Sequence, residues 1–327
     1  MSAGRGRSPL LARTARVGRP ALALLIVAAV GYAVVAQWPE VARAIRGLAW
    51  PSVVLAFGCV VAGSLCAVMS WRVLLAEEGH PLRPVEAGRV FLVGQLGKYL
   101  PGSVWSVLIQ MELARRAGVP RARTFTASLS WVGLSLSSAL VVGLTGVPVL
   151  LDAGSPVGWA LLAVLPVALV CSHPAVLTRL VDLILRVLHK APLPHAFTWR
   201  GVGRAFCWLL LTWLCYGAQL WLLANALGAP GWAGFLRCLG GFALALGGGI
   251  VFVVAPSGAG AREALIVAAL AGVMAEGEAL GVAVVSRMLF TLADVMLAVA
   301  AALSGWWLLR GARELAPDPA ERDDEHA

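Results

Sequence analysis

The chain has 327 residues, of which 60% are hydrophobic and only 13% charged, with a mean hydropathy of +0.84. A soluble globular domain is far more charged and less apolar, so this balance points to an integral membrane protein. The formal net charge of +9 sits in short basic patches between apolar runs. It therefore serves topology and anionic headgroups rather than nucleic acid.

In chain order, residues 1–19 form a basic segment (Arg5, Arg7, Arg13, Arg16, Arg19) ahead of an apolar run from Ala21 to Ala36. Val34-Val35-Ala36 has the look of a cleavage site, but the many later spans favour an uncleaved first helix. Apolar runs predict spans near 20–37, 51–75, 125–151, 157–173, 206–228, 234–255, 259–275 and 280–309, because about 20 helical residues cross a hydrocarbon core of about 30 Å. The expected fold is all-α, a polytopic bundle of about eight spans with one or two re-entrant or broken helices. Residues 20–310 would form this transmembrane domain. Residues 311–327 form an acidic, Pro-containing tail, expected to be disordered.

The stretch 88–112 reads differently. Arg83 and Arg89 lie before it and Arg115, Arg116, Arg121 and Arg123 after it. Basic flanks on both sides place both ends in the cytoplasm, which a re-entrant hairpin satisfies and a single span does not. The basic loop from His173 to Arg204 is expected inside, and the acidic turn at Glu276 and Glu278 outside. Both chain termini are then cytoplasmic, in a plasma-membrane protein. Within 174–205, Leu177, Leu180, Val181, Ile184, Leu185 and Leu188 mark an interfacial amphipathic helix.

Two proline-broken segments carry the functional signal. The first runs from Gln95 through Lys98 and Pro101-Gly102-Ser103 to Trp105. The second runs from Val253 through Pro256, Gly258 and Gly260 to Arg262-Glu263, and is expected to break a helix near 255–275. Interrupted backbone survives in a membrane only when buried in protein or lining a polar cavity. A weak repeat links the segments: Pro101-Gly102 precedes Ala117-Gly118-Val119, and Pro256-Ser257-Gly258 precedes Ala271-Gly272-Val273. In the first break, Pro101 stops a helix and Ser103 would cap the next. Lys98 beside that helix start makes a phosphate cradle; the bland alternative is a snorkelling lysine. In the second, Gly260 would be the cap and Glu263 its capping-box partner. Arg262 then wants a carboxylate or phosphate. The last span carries Arg287 and Asp294 on one face, two turns apart and too far for a direct bridge. They pair with the broken segments or handle headgroups.

Other features read as structural. The six cysteines form no Cys-x-x-Cys pair, and the five histidines are scattered, so neither a metal nor a cofactor is expected. Glu112 suits a surface ion pair with Arg115 and Arg116. Gln95, Gln110 and Gln219 line a polar path or bond neighbouring helices. Gly247-Gly248-Gly249 lacks the context of a phosphate loop.

The stretches Gly94–Trp105, Glu112–Val119 and Pro256–Glu263 resemble the transmembrane-region family of lysylphosphatidylglycerol synthases, a likeness covering about 20 to 310. The resemblance implies a multi-span bundle with re-entrant helices and, in its best-understood relatives, translocation of aminoacylated phospholipid. Those relatives carry a cytoplasmic aminoacyl-transferase domain; here only a short acidic tail follows Arg313, so synthase activity is not expected to be carried over. The expected partners are membrane lipids with an anionic or zwitterionic headgroup, including polyprenyl-linked lipids, and enzymes of envelope biosynthesis. The expected function is that of a flippase; a scaffold for an envelope enzyme and an intramembrane lipid-phosphate enzyme are the alternatives. The residues expected to act are Gln95, Lys98, Pro101, Gly102, Ser103, Pro256, Gly258, Gly260, Arg262, Glu263, Arg287 and Asp294.

Overall fold

A computed structural model describes residues 48–100, 104–146, 166, 170, 172–187, 196–228, 231–251, 261–271 and 273–314. The spans expected at 20–37 and 157–173, and both terminal segments, lie essentially outside these residues, as do Pro101, Gly102, Ser103, Pro256, Gly258 and Gly260. The helices are α1 (Trp50–Glu77), α2 (Pro84–Gln95), α3 (Trp105–Arg116), α4 (Arg121–Gly143), α5 (Pro174–Val187), α6 (Trp199–Asn225), α7 (Gly231–Val251), α8 (Ala261–Leu270) and α9 (Glu276–Glu314). Among the described residues there is no strand, only an isolated bridge between Ala271 and Met274.

Helices α1, α4, α6 and the Glu276–Ser304 part of α9 are each long and apolar enough to cross a membrane. α1 has 28 residues and is about 42 Å long at 1.5 Å per residue. Pro51 sits in its first turn, where a missing N–H costs nothing. α6 begins at Trp199, seven residues before the expected start at 206. The early start has a local cause: the Thr198 side chain accepts a hydrogen bond from Gly201 N–H at 2.9 Å. Thr198 N–H in turn donates to Glu77 Oε2 at 2.8 Å, tying the start of α6 to the end of α1.

The most extensive helix pairing is α1 with α6. Gly63 permits it, since a Cβ there would fall 2.5 Å from the Tyr216 ring. Three buried clusters follow. One gathers Tyr216, Phe242, Ile266 and Phe290 from α6, α7, α8 and α9. A second joins Trp71, Phe91 and Ala127 of α1, α2 and α4. The third packs Leu74, Leu134 and Leu209 against Leu177, Val181 and Leu185. Those last three are the inner stripe of α5, the expected amphipathic helix, while Leu180 and Ile184 lie on its exposed side. Leu188 is outside the described residues.

Among the described helices, three besides the 14-residue α5 are too short to span. α2 and α3 have 12 residues each, about 18 Å, and pack against each other across the first break. α8 has 10 residues, about 15 Å. The span expected over 259–275 is therefore, in its described part, half the length a crossing needs. α8 packs on both α7 and α9.

Candidate functional site

The first break is built around a 3-10 turn. α2 ends at Gln95, Leu96–Tyr99 tighten into the 3-10 turn, and Leu100 is extended at φ −85°, ψ 146°, as a residue before proline must be. The chain thus leaves α-helical geometry at Leu96, earlier than the proline at 101 alone predicts. Helix α3 begins at Trp105, and the residue at its cap position is Val104, with no side-chain cap. Ser103, the expected cap, lies outside the described residues.

The two limbs approach very closely at Gly97. A Cβ on that residue would lie 2.5 Å from Ser106 N and 2.7 Å from Ser106 Cα. Only glycine allows this backbone contact. Behind it, Gln110 of α3 accepts from Ser128 Oγ at 2.7 Å, and Ser128 accepts from Trp71 Nε1 at 3.1 Å. This chain pins α3 to α4 and α1.

The hairpin tip presents Lys98 and Tyr99 to α9. Lys98 Nζ lies 2.6 Å from Asp294 Oδ2, and Tyr99 Oη donates to the same oxygen at 2.7 Å. The Asp294 side chain is 8% exposed and that of Lys98 34%. A carboxylate this buried needs both partners, since taking an ion out of water costs several kcal/mol. Lys98 is therefore engaged by a carboxylate and does not simply snorkel. Gln95 lies half-buried at the end of α2.

The second break meets the same helix two turns away. Arg287 Nη1 donates to Glu263 Oε1 at 2.6 Å, and both side chains are 12% exposed. Arg262 turns inward instead. Its guanidinium carbon sits 4.9 Å from the Phe242 ring centroid and 4.6 Å from that of Phe290, a cation–π arrangement. Arg262 Nη2 donates to Ser286 Oγ at 3.4 Å, and Ser286 Oγ donates to Gln219 Oε1 at 3.1 Å. Arg262 also lies within electrostatic reach of Tyr99 and Asp294.

The structure thus brings Lys98, Arg262, Glu263, Arg287 and Asp294 together around α9. Arg287 and Asp294 do not bridge each other; each takes a partner from a different broken segment. Sequence reasoning missed Tyr99, Ser286, Phe242 and Phe290. Tyr99 and Ser286 had a usable signal, since each adjoins a charged residue in an apolar stretch. The two phenylalanines had none, being ordinary core residues by pattern. A cleft of about 760 Å³ lies between α8 and α9, lined by Glu263, Ala264, Val267, Ala268, Met274 and Leu280 among others. It opens beside the Glu263–Arg287 pair.

Glu112 sits apart from this site, on the basic side of the first hairpin. It contacts Arg115 at 2.9 Å, Arg116 at 3.7 Å and Arg121 at 2.6 Å. Hydrogen bonds from Arg115 and Arg121 lower its pKa to about 2. Among the described residues no group of His, Cys, Asp and Glu could hold a metal ion.

No curated protein matches the chain significantly. The profile of one family, described as "Lysylphosphatidylglycerol synthase TM region", matches residues 21–310. That match covers most of the sequence and includes both broken segments, so the chain belongs to the lysylphosphatidylglycerol synthase transmembrane-region family and is a multi-pass integral membrane protein related to lipid metabolism or transport.

Proposed function

We propose that the protein binds a phospholipid or polyprenyl-linked lipid with a charged headgroup and moves it between leaflets of the plasma membrane. The observation that carries this reading is the convergence of two helix breaks on one helix. Lys98 and Tyr99 reach Asp294, and Glu263 reaches Arg287. Ions in a bilayer cost about 2.5–3.5 kcal/mol each near a helix centre, so such groups mark polar pathways. Short helices ending at a polar cluster are how membrane proteins build a midplane site. The cleft beside Glu263 gives that cluster an opening whose walls are mostly apolar, suited to a lipid with one polar end. In this reading α2 and α3 form a re-entrant hairpin with both ends cytoplasmic, as are both chain termini.

The test is reconstitution of the full chain into liposomes carrying fluorescent phospholipids, with dithionite quenching of the outer leaflet. Movement of intact lipid, reduced at least tenfold in Asp294→Asn and Arg287→Met, supports the proposal. Chemical conversion of the lipid instead identifies an enzyme. Binding without movement or conversion identifies a scaffold for envelope-biosynthesis enzymes.

A further inference from the structure

Counting charges and donors around Arg262 shows a deficit of negative charge. Among the described residues, Lys98, Arg262 and Arg287 face Glu263 and Asp294, which leaves one positive charge in excess. The surplus falls on Arg262, which is 6% exposed. Among the described residues its Nε has no hydrogen-bond partner, and neither has Nε2 of Gln219, which is fully buried.

The orientation of Gln219 follows from chemistry. Arginine only donates, so Ser286 Oγ accepts from Arg262 and must pass its own proton onward. The receiving atom is then the Gln219 oxygen, and the amide nitrogen is left without an acceptor. Among the described residues, two buried donors, one of them cationic, thus flank Ser286 with nothing to receive their protons. A native interior rarely leaves such groups unmet without a functional reason.

Resting on the lipid-binding reading above and sharpening it, we infer that Arg262 and Gln219 form a binding site for a singly charged oxyanion, such as the phosphodiester of a lipid or a free phosphate. The anion neutralises the excess charge and accepts from Arg262 Nε and Gln219 Nε2. Lys98 is not its primary ligand, because Asp294 already holds that charge at 2.6 Å. Arg262 lies in the first turn of α8, where the helix dipole adds to the attraction. Glu263, its sequence neighbour, lines the cleft between α8 and α9.

The test is titration of the detergent-solubilised full chain, by calorimetry and by ³¹P NMR line broadening. The probes are dihexanoyl phosphatidylglycerol, inorganic phosphate and, as a phosphate-free control, dihexanoylglycerol. The site predicts binding of at least one phosphate probe and none of the control. Affinity falls at least tenfold in Arg262→Met and in Gln219→Leu, and less in Arg262→Lys. If Arg262→Met does not fold, Gln219→Leu and Arg262→Lys decide. Response to the short-chain lipid alone identifies a headgroup site; an equal response to inorganic phosphate identifies a site for the free anion. Wild-type affinity in the folded variants, or no phosphate binding by the native protein, overturns the inference. Lipid movement in liposomes is a separate readout. Movement with no oxyanion site sinks this inference alone, and an oxyanion site without movement sinks the transport reading alone.

Discussion

Replacing Asp294 by asparagine isolates what holds the first hairpin against α9. The Asp294→Asn side chain keeps an oxygen that can accept from Tyr99, so the 2.7 Å bond weakens from charge-assisted to neutral, a loss of about 1 kcal/mol. The larger effect is on Lys98, which loses its ion pair. Breaking a fully buried pair costs about 3–5 kcal/mol. Lys98 is a third exposed, so it recovers part of that by turning outward, leaving about 1–2 kcal/mol. The sum is about 2–3 kcal/mol. The assay is reversible unfolding in mixed micelles, run as a double-mutant cycle with Lys98→Met. A true pair gives a coupling energy of about 1–2 kcal/mol. Hydrogen exchange should show the loss concentrated in the 3-10 turn at Leu96–Tyr99 and the first turn of α3. A coupling below about 0.5 kcal/mol, or exchange that rises evenly over the whole bundle, would refute the argument that Asp294 anchors this tip.

Gly97→Ala drives a methyl group into Ser106 backbone, which cannot yield as a side chain would. The hairpin should open, with stability falling by at least about 2 kcal/mol and α3 losing exchange protection. Ser128→Ala removes the link between Trp71 and Gln110 and leaves two buried polar groups unmet, a cost of about 1–3 kcal/mol measurable by the same unfolding assay. Glu112 has a folded-state pKa of about 2 against an ordinary 4.5. Because its folded pKa is depressed, its stabilising effect is complete above about pH 4.5 and disappears as pH falls towards 2. Screening at this exposed site limits the effect to about 1 kcal/mol, and Glu112→Gln should flatten that part of the acid-stability curve.

The first break and the charged residues that gather around α9 were legible in sequence because proline, glycine and ionised side chains are conspicuous against an apolar background. The inner stripe of α5 was equally legible, since Leu177, Val181 and Leu185 recur at helical spacing. The pairings were not. Tyr99 and Asp294 are 195 residues apart, and no local pattern says which distant charge a lysine will meet. The break itself begins earlier than its proline because the 3-10 turn at Leu96–Tyr99 depends on Gly97 accepting Ser106 at van der Waals contact, a tertiary fact. The start of α6 was placed late for a different reason: its first turns carry Arg200 and Arg204, which lower apolarity, while the Thr198 cap acts through one hydrogen bond.

Arg287 and Asp294 are seven positions apart on one continuous helix, which puts their seats about 10.5 Å apart and within about 20° of the same heading. α9 therefore works like a camshaft with two lobes. A slide or twist of this rod would displace the Lys98–Asp294 and Glu263–Arg287 contacts together.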